Sequence, residues 1–444
     1  MDKDLACTLI EKVKKLTSDK YCSVINIEGT RQNVTRFANS EISQNTNKSD
    51  INMSLTLHDG RKEATCGTNV LNDEGLQRLV KDAESLLAIS PQGNYEFASW
   101  GKPSLHTTES DKELRLIYDA KGRAETIKEG IKDFETDFTA AGALVLENKI
   151  SAYGNSYSDE VLFASLDNVQ FNTVVTHKPS NADGGGECIS HQANQLNIKE
   201  AFSHAKHWAT LGSDTSNLVT LNGGEYTVVL SPMAVGNLVA FLGWSLNAKR
   251  VADGLSFCNS SLSNAPKLGE NINIYDDVND SRVFPWYFDY EGNKRQTIPL
   301  IEKGVVKNLL YDNKTAHLLG AEQKGHAYSN KGNGGASLHT IMLGGDSTQE
   351  EVIKSTTRGL YISDFHYTNF VNPCTLQLTG LTRNGTFLIE DGQITKPVTT
   401  MRFTQNILEA FTNVEVISKE LTVVNDDGWA SVMPSIKIER FCFP

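Results

Sequence analysis

The sequence predicts an α+β protein: a helix, an antiparallel meander and a helix at the N-terminus, then a β-rich C-terminal domain holding a buried helix. Three observations carry this. Residues 2–16 and the stretch after Asn72 place apolar residues at i, i+3, i+4 and i+7, with strand-like runs between them. From Gly223 onward, short apolar-alternating runs are separated by Gly, Asn and Asp. The segment Leu221–Gly254 joins a turn, a strand and a nearly all-apolar helix.

The first helix puts Leu5, Leu9, Val13 and Leu16 on one face, with Asp2 and Asp4 leading and Lys12, Lys14 and Lys15 trailing. Strand signals follow at Ser23–Ile27 and Asn33–Ala38. The clearest is Ile51–His58, where Ile51, Met53, Leu55 and Leu57 alternate with polar residues. Asp59-Gly60 then turns the chain into Lys62–Cys66. Asn72 caps the next helix, and Ser90–Thr108 reads as a connection. Ser110 and Glu113 form a capping box for a helix from Asp111 to about Asp133. Short strands are expected at Ala140–Leu146, Ile150–Tyr153, Glu160–Leu166 and Gln170–Val175. Asp183–Glu187, with three consecutive glycines, reads as a mobile loop, and Ile198–Leu211 as a helix.

In the central segment Ser231 is a cap and Pro232 a first helical residue. The helix runs roughly Met233–Leu246, and Lys249 and Arg250 close its negative end. Gly236, Ala240 and Gly243 form a stripe of small residues that admits a close backbone. Later strands are expected at Thr297–Ile301, Val305–Tyr311 and Thr386–Glu390, with a helix from Gln349 to about Arg358. The divisions are 1–105, an N-terminal α+β lobe; 106–220, a central α+β segment of the N-terminal half; and 221–444, the β-rich domain.

The chain has 444 residues and a formal net charge of -12. At roughly 150 residues per domain that allows two or three domains. The acidic balance argues against a nucleic-acid surface. The seven cysteines are scattered without a C-x-x-C pair, and the N-terminus carries Asp2, Lys3 and Asp4. A cytoplasmic protein with free thiols is expected, with no membrane span. The uncharged stretch Ser231–Ala248 holds Pro, Asn, Ser and Gly, which favours a core helix.

For metal chemistry, no H-E-x-x-H is present, and none of the ten His is followed directly by Glu. His204 and His207 lie at i, i+3 on a helix and are the weak candidates for ligands; an exposed helical pair is the preferred reading. There is no G-x-S-x-G elbow. Ser337 and His339 are too close for a standard pair, and Cys258, beside His317 or His366, defaults to a core thiol. Gly332-Asn333-Gly334-Gly335 lacks a P-loop ending.

Several stretches together resemble the TldD/PmbA family, whose members are labelled modulators of DNA gyrase or microcin-processing peptidases. They are Thr35–Gln44, Gly154-Asn155-Ser156, Leu221–Gly254, Gly359–Glu390 and Arg402–Asn413. In the catalytic branch a buried helix carries H-E-x-x-x-H. Here that slot is roughly Ala240–Ser245, Ala-Phe-Leu-Gly-Trp-Ser, so the chain resembles the PmbA (TldE) branch. A late Cys ligand is also expected in the catalytic branch; Cys374 does not match its pattern.

The resemblance implies the TldD/PmbA fold and dimers around a central cavity, either homodimers or heterodimers with a TldD-type chain. That partner would carry zinc or iron and cleave unfolded peptides; no cofactor is expected in this chain. Cavity or peptide-binding roles are expected for Asn39, Ser40, Gln44, Gly334, Gly335, His366, Tyr367, Arg383 and Arg402. The gyrase label is not read as DNA binding. Two alternatives stay open: a stand-alone peptidase with a non-standard site, and a non-enzymatic homodimeric peptide-binding or regulatory protein.

Overall fold

Asp2 starts the first helix, α1 (Lys3–Leu16), by accepting a hydrogen bond from the Leu5 amide at 2.9 Å. Its buried ridge is Ala6, Leu9, Ile10 and Val13, so the expected face is rotated: Leu5 is 48% exposed. The computed structural model describes residues 1–93, 112–259, 262, 265–322, 325–327, 333–426 and 428–444. The strands β1 (Cys22–Ala38), β2 (Glu41–His58) and β3 (Glu63–Thr68) lead to α2 (Asp73–Ile89), capped by Asn72. Then come α3 (Lys112–Ile117), α4 (Ala120–Ile131), β4 (Phe138–Asn155), β5 (Leu162–His177), β6 (Ala182–Ser190) and α5 (Ile198–Gly212). Most of the Ser90–Thr108 connection, and Ser110 of the expected capping box, lie outside the described residues. The single helix expected to Asp133 is two, because Asp119 caps a new start at the Gly122 amide.

The six strands form one antiparallel sheet in the order β3-β2-β1-β4-β5-β6 among the described residues, so strands from before and after residue 105 share it. Where short strands were expected, the structure has single strands of 16 to 18 residues. The polar start of β2, residues 41–50, is almost wholly exposed and is held to β1 by its backbone ladder. It carries no apolar period, so the pattern cannot announce it. Successive residues of β1 point to opposite faces. Ile25 and Ile27 pack under α1 and α2. Val24, on the other face, joins Tyr153 and Leu162 against Phe284, Trp286 and Phe288 of the C-terminal half.

That second half opens with β7 (Gly224–Leu230). Ser231 caps α6 (Pro232–Ser245) through the Ala234 amide. Asn247 starts a separate helix, α7 (Ala248–Ala252), so Lys249 and Arg250 belong to it and do not close α6. Then follow β8 (Ile274–Asp276), β9 (Ile298–Glu302), β10 (Val305–Val306), α8 (Asn313–Leu319), β11 (Thr340–Met342) and α9 (Gln349–Lys354). The chain ends with β12 (Arg358–Asn372), β13 (Gln377–Glu390), β14 (Gln393–Pro397), β15 (Arg402–Asn406), α10 (Ile407–Thr412), β16 (Val414–Asp426) and β17 (Trp429–Phe443). Of the expected strand 305–311 only its first two residues are extended in a ladder.

The second sheet has eleven strands among the described residues. The main path is β10-β9-β8-β11-β17-β7-β12-β13-β14, with β15 on β13 and β16 on β17. Helix α6 lies in its core, with Leu238, Val239 and Leu242 almost fully buried. Its small stripe does not admit a second backbone. A Cβ on Gly236 would meet the Val424 side chain at 2.9 Å, and one on Gly243 would meet nothing within 4 Å. Among the described residues no helix is long and apolar enough to cross a membrane.

The halves dock through aromatic contacts. Trp208 of α5 stacks on Tyr361 at 4.6 Å and lies 5.1 Å from the Phe387 ring. The Lys149 ammonium donates to the Gly428 carbonyl and sits 4.1 Å over the Trp429 ring.

Candidate functional site

The slot Ala240–Ser245 occupies the last turns of α6. Phe241 and Leu242 are buried in the apolar core, and the Ser245 hydroxyl donates to the Phe241 carbonyl at 3.0 Å. None of its six side chains is an imidazole, carboxylate or thiolate. A hydrolytic metal needs three such ligands and an open position, and this helix does not fit one. Among the described residues no three of His, Cys, Asp and Glu converge as a ligand set.

His204 is not an exposed ligand candidate. Its Nε2 accepts from the Trp208 indole N–H at 2.9 Å, and its Nδ1 lies 3.2 Å from the Gly185 carbonyl. Both ring nitrogens are used in joining α5 to β6 and to the aromatic stack, and burial pushes its pKa down. His207 is exposed, edge-on to Trp208. Burial pushes the Cys258 thiol up to about 12, which suits a core thiol rather than a nucleophile. Cys374 is exposed in the β12–β13 turn and donates to the Gly254 carbonyl. The Ser337 hydroxyl meets Thr340, while His339 is buried against Asp276.

The glycine loop also differs from expectation. The Gly334 amide donates to Asp312 at 2.7 Å and the Gly335 amide to the Leu310 carbonyl at 3.1 Å. Both glycines are buried, so these N–H groups hold the loop in place and are not free to grip a peptide. Gly334 has φ of +81°, and a Cβ there would strike Asn247. Asn39 and Ser40 form the β1–β2 turn with φ of 52° and 61°; Ser40 exchanges hydrogen bonds with Ala140 of β4. Gln44 is exposed on β2 opposite Arg36.

Three expected residues do come together. His366, Tyr367 and Arg383 line an open cleft of about 710 Å³ between the β12–β13 ladder and the β5–β6 turn. Its lining also includes Ser180–Asp183, Leu218, Pro397 and Thr400. Arg402 begins β15 and is not among the lining residues. A register shift between His366 and Asn369 bulges β12, and Tyr367 there has φ of 52° and is 78% exposed. At the bulge Tyr367 is an exposed member of the cleft lining.

A pair of carboxylates was not anticipated. Glu187 of β6 accepts from the Asn425 amide at 3.0 Å. Asp364 of β12 accepts from the Phe365 amide at 2.7 Å and from Asn384 at 3.4 Å. Burial pushes Glu187 up to about 7. Burial and then the neighbouring Glu187 push Asp364 to the same range, about 7. The native state therefore holds more protons than the unfolded chain from the ordinary carboxylate range up to about pH 7. Stability falls as pH rises through that window. Asp364→Asn is expected to remove on the order of 1–2 kcal/mol of this slope. In thermal melts at pH 5.5 and 7.5, the variant gains on the parent at the higher pH; equal gaps at both would contradict the assignment.

Asp183–Glu187 is strand β6 rather than a loop, and packing explains the glycines. A Cβ on Gly184 would lie 1.9 Å from the Ala205 carbonyl oxygen, and one on Gly186 2.0 Å from that of Ala201. On the other face, a Cβ on Gly185 would meet the Asn384 side chain at 2.4 Å. The readable signal is alternation: Gly184 and Gly186 on one strand face, opposite Ala201, Ala205 and Ala209 on one helix face.

Comparison with known proteins gives a consistent result. A family model described as PmbA/TldA metallopeptidase C-terminal domain matches residues 223–443, and one described as PmbA/TldA metallopeptidase domain 1 matches residues 24–87. A metalloprotease of Methanothermobacter thermautotrophicus is 26% identical over 200 residues, 44% of this chain and 43% of that protein. The match thus spans less than half the length of that relative. The crystal structure of a candidate modulator of a DNA gyrase from Thermotoga maritima superposes with a TM-score of 0.83 at 18% identity, over 100% of both chains. TldE from Thermococcus kodakarensis gives 0.82 at 18% identity, over 99% of both. At such identities the two structures speak for the fold.

Proposed function

This chain belongs to the TldD/PmbA family, and from that premise we propose that it is a PmbA/TldE-like subunit of a metallopeptidase system acting on unfolded peptides. It binds and positions the peptide; a TldD-type partner supplies the zinc or iron and the hydrolysis. The observation that carries this reading is the slot Ala240–Ser245. The framework around it is intact, with strand β7, the Ser231-Pro232 turn and a buried helix, yet its side chains offer no ligand. The cleft supports the peptide-binding half of the reading, since it sets the donors of Arg383 and His366 beside the apolar surfaces of Leu218 and Pro397. The C-terminal domain, 221–444, is assigned most of the peptide contacts.

Elemental mass spectrometry of the purified chain tests this first. Zinc and iron well below one per chain are expected, with a TldD-type chain recovered in a pull-down. About one metal per chain would overturn the reading.

A further inference from the structure

The cleft holds an exposed guanidinium that no carboxylate reaches at ion-pair distance among the described residues. Among the described residues Arg383 makes no ion pair and no hydrogen bond, and it is exposed to the cleft. Its cross-strand partner is Asp364, but that carboxyl is engaged by Phe365 and Asn384. Beside it, His366 Nδ1 is buried without a hydrogen-bond partner among the described residues. Burial and then Arg383 push the His366 pKa down. An unpaired guanidinium and an unpaired imidazole nitrogen therefore lie together in the cleft lining. The same lining includes Asp183, whose carboxylate accepts from Thr176 at 2.6 Å.

That balance selects a ligand. A phosphate dianion would meet the Asp183 carboxylate of the same cleft and be repelled. A single carboxylate needs one guanidinium and one further donor. The apolar lining at Leu218 and Pro397 then suits side chains attached to it. We propose that this cleft binds the C-terminal carboxylate of a peptide, ion-paired to Arg383 and hydrogen-bonded by His366. The proposal rests on the peptide-binding reading above and makes it specific: the chain recognises a free C-terminal end.

The test is fluorescence anisotropy with the purified full chain and a labelled, unstructured peptide without acidic side chains, as the free acid and as the C-terminal amide. The acid is expected to bind on the order of 10-fold more tightly than the amide. Arg383→Gln should reduce binding of the acid to the level at which the parent binds the amide. Equal binding of acid and amide overturns the carboxylate assignment while peptide binding stands; that comparison needs no variant. If an amidated peptide carrying an internal Glu binds as the free acid does, recognition of the chain end is overturned. Binding of neither peptide overturns the peptide-binding reading together with it.

Discussion

Replacing Asp276 with alanine is expected to destabilise the protein by about 3–5 kcal/mol. Asp276 lies at the end of β8, 1% exposed, and joins segments distant in sequence. Its carboxylate contacts His326 Nδ1 at 2.9 Å, the His339 amide at 2.9 Å and the Arg295 guanidinium at 3.3 Å. Burial opposes ionisation, yet the hydrogen bonds from His326 and His339 hold this carboxyl well below the usual range. The Arg295 guanidinium is 1% exposed, and its Nε and Nη2 have no partner among the described residues. Removing Asp276 strips the nearest counter-charge from a buried cation, and that cost exceeds the loss of one hydrogen bond. The midpoint of chemical denaturation reads it. A shift equivalent to less than about 1 kcal/mol would mean that the network is not a structural anchor.

Gly186→Val is the second large effect, about 3 kcal/mol or more. Its first added carbon would lie 2.0 Å from the Ala201 carbonyl oxygen, an atom of helix backbone that no rotamer change can move aside. Either α5 lifts from β6 or the strand leaves the sheet. Lifting α5 would also pull Trp208 off Tyr361 and loosen the junction between the halves. Gly243→Ala is the contrasting case. It is helical, and a Cβ there meets nothing within 4 Å, so a gain of about 0.5–1 kcal/mol is expected. Equal destabilisation by both variants would refute the close α5–β6 contact.

The contrast explains what the sequence could and could not say. Two helix starts were legible from their caps, because a cap is a local device: Asn72 and Ser231 each accept from an amide three residues on, whereas the starts at Asp119 and Asn247 were missed inside longer apolar patterns. The β1–β2 ladder was legible only where one face is buried. Its polar half, residues 41–50, is specified by pairing with β1 rather than by its own pattern. The glycines of β6 were misread because their cause is a helix that follows later in the chain. The same distance hid half of the site. His366, Tyr367 and Arg383 lie in one stretch with recognisable neighbours, whereas the Ser180–Asp183 segment reaches them only through the docking of two sheets. The Glu187–Asp364 pair is likewise a product of that docking, with one carboxylate from each half.

The central claim is that this chain handles peptide while another hydrolyses it. The most direct measurement is cleavage of an unstructured peptide by the purified chain alone, and then mixed with a TldD-type chain, each with and without a chelator. The account predicts no cleavage by the chain alone and chelator-sensitive cleavage by the mixture that exceeds that of the TldD-type chain by itself. Chelator-sensitive cleavage by this chain alone would contradict it.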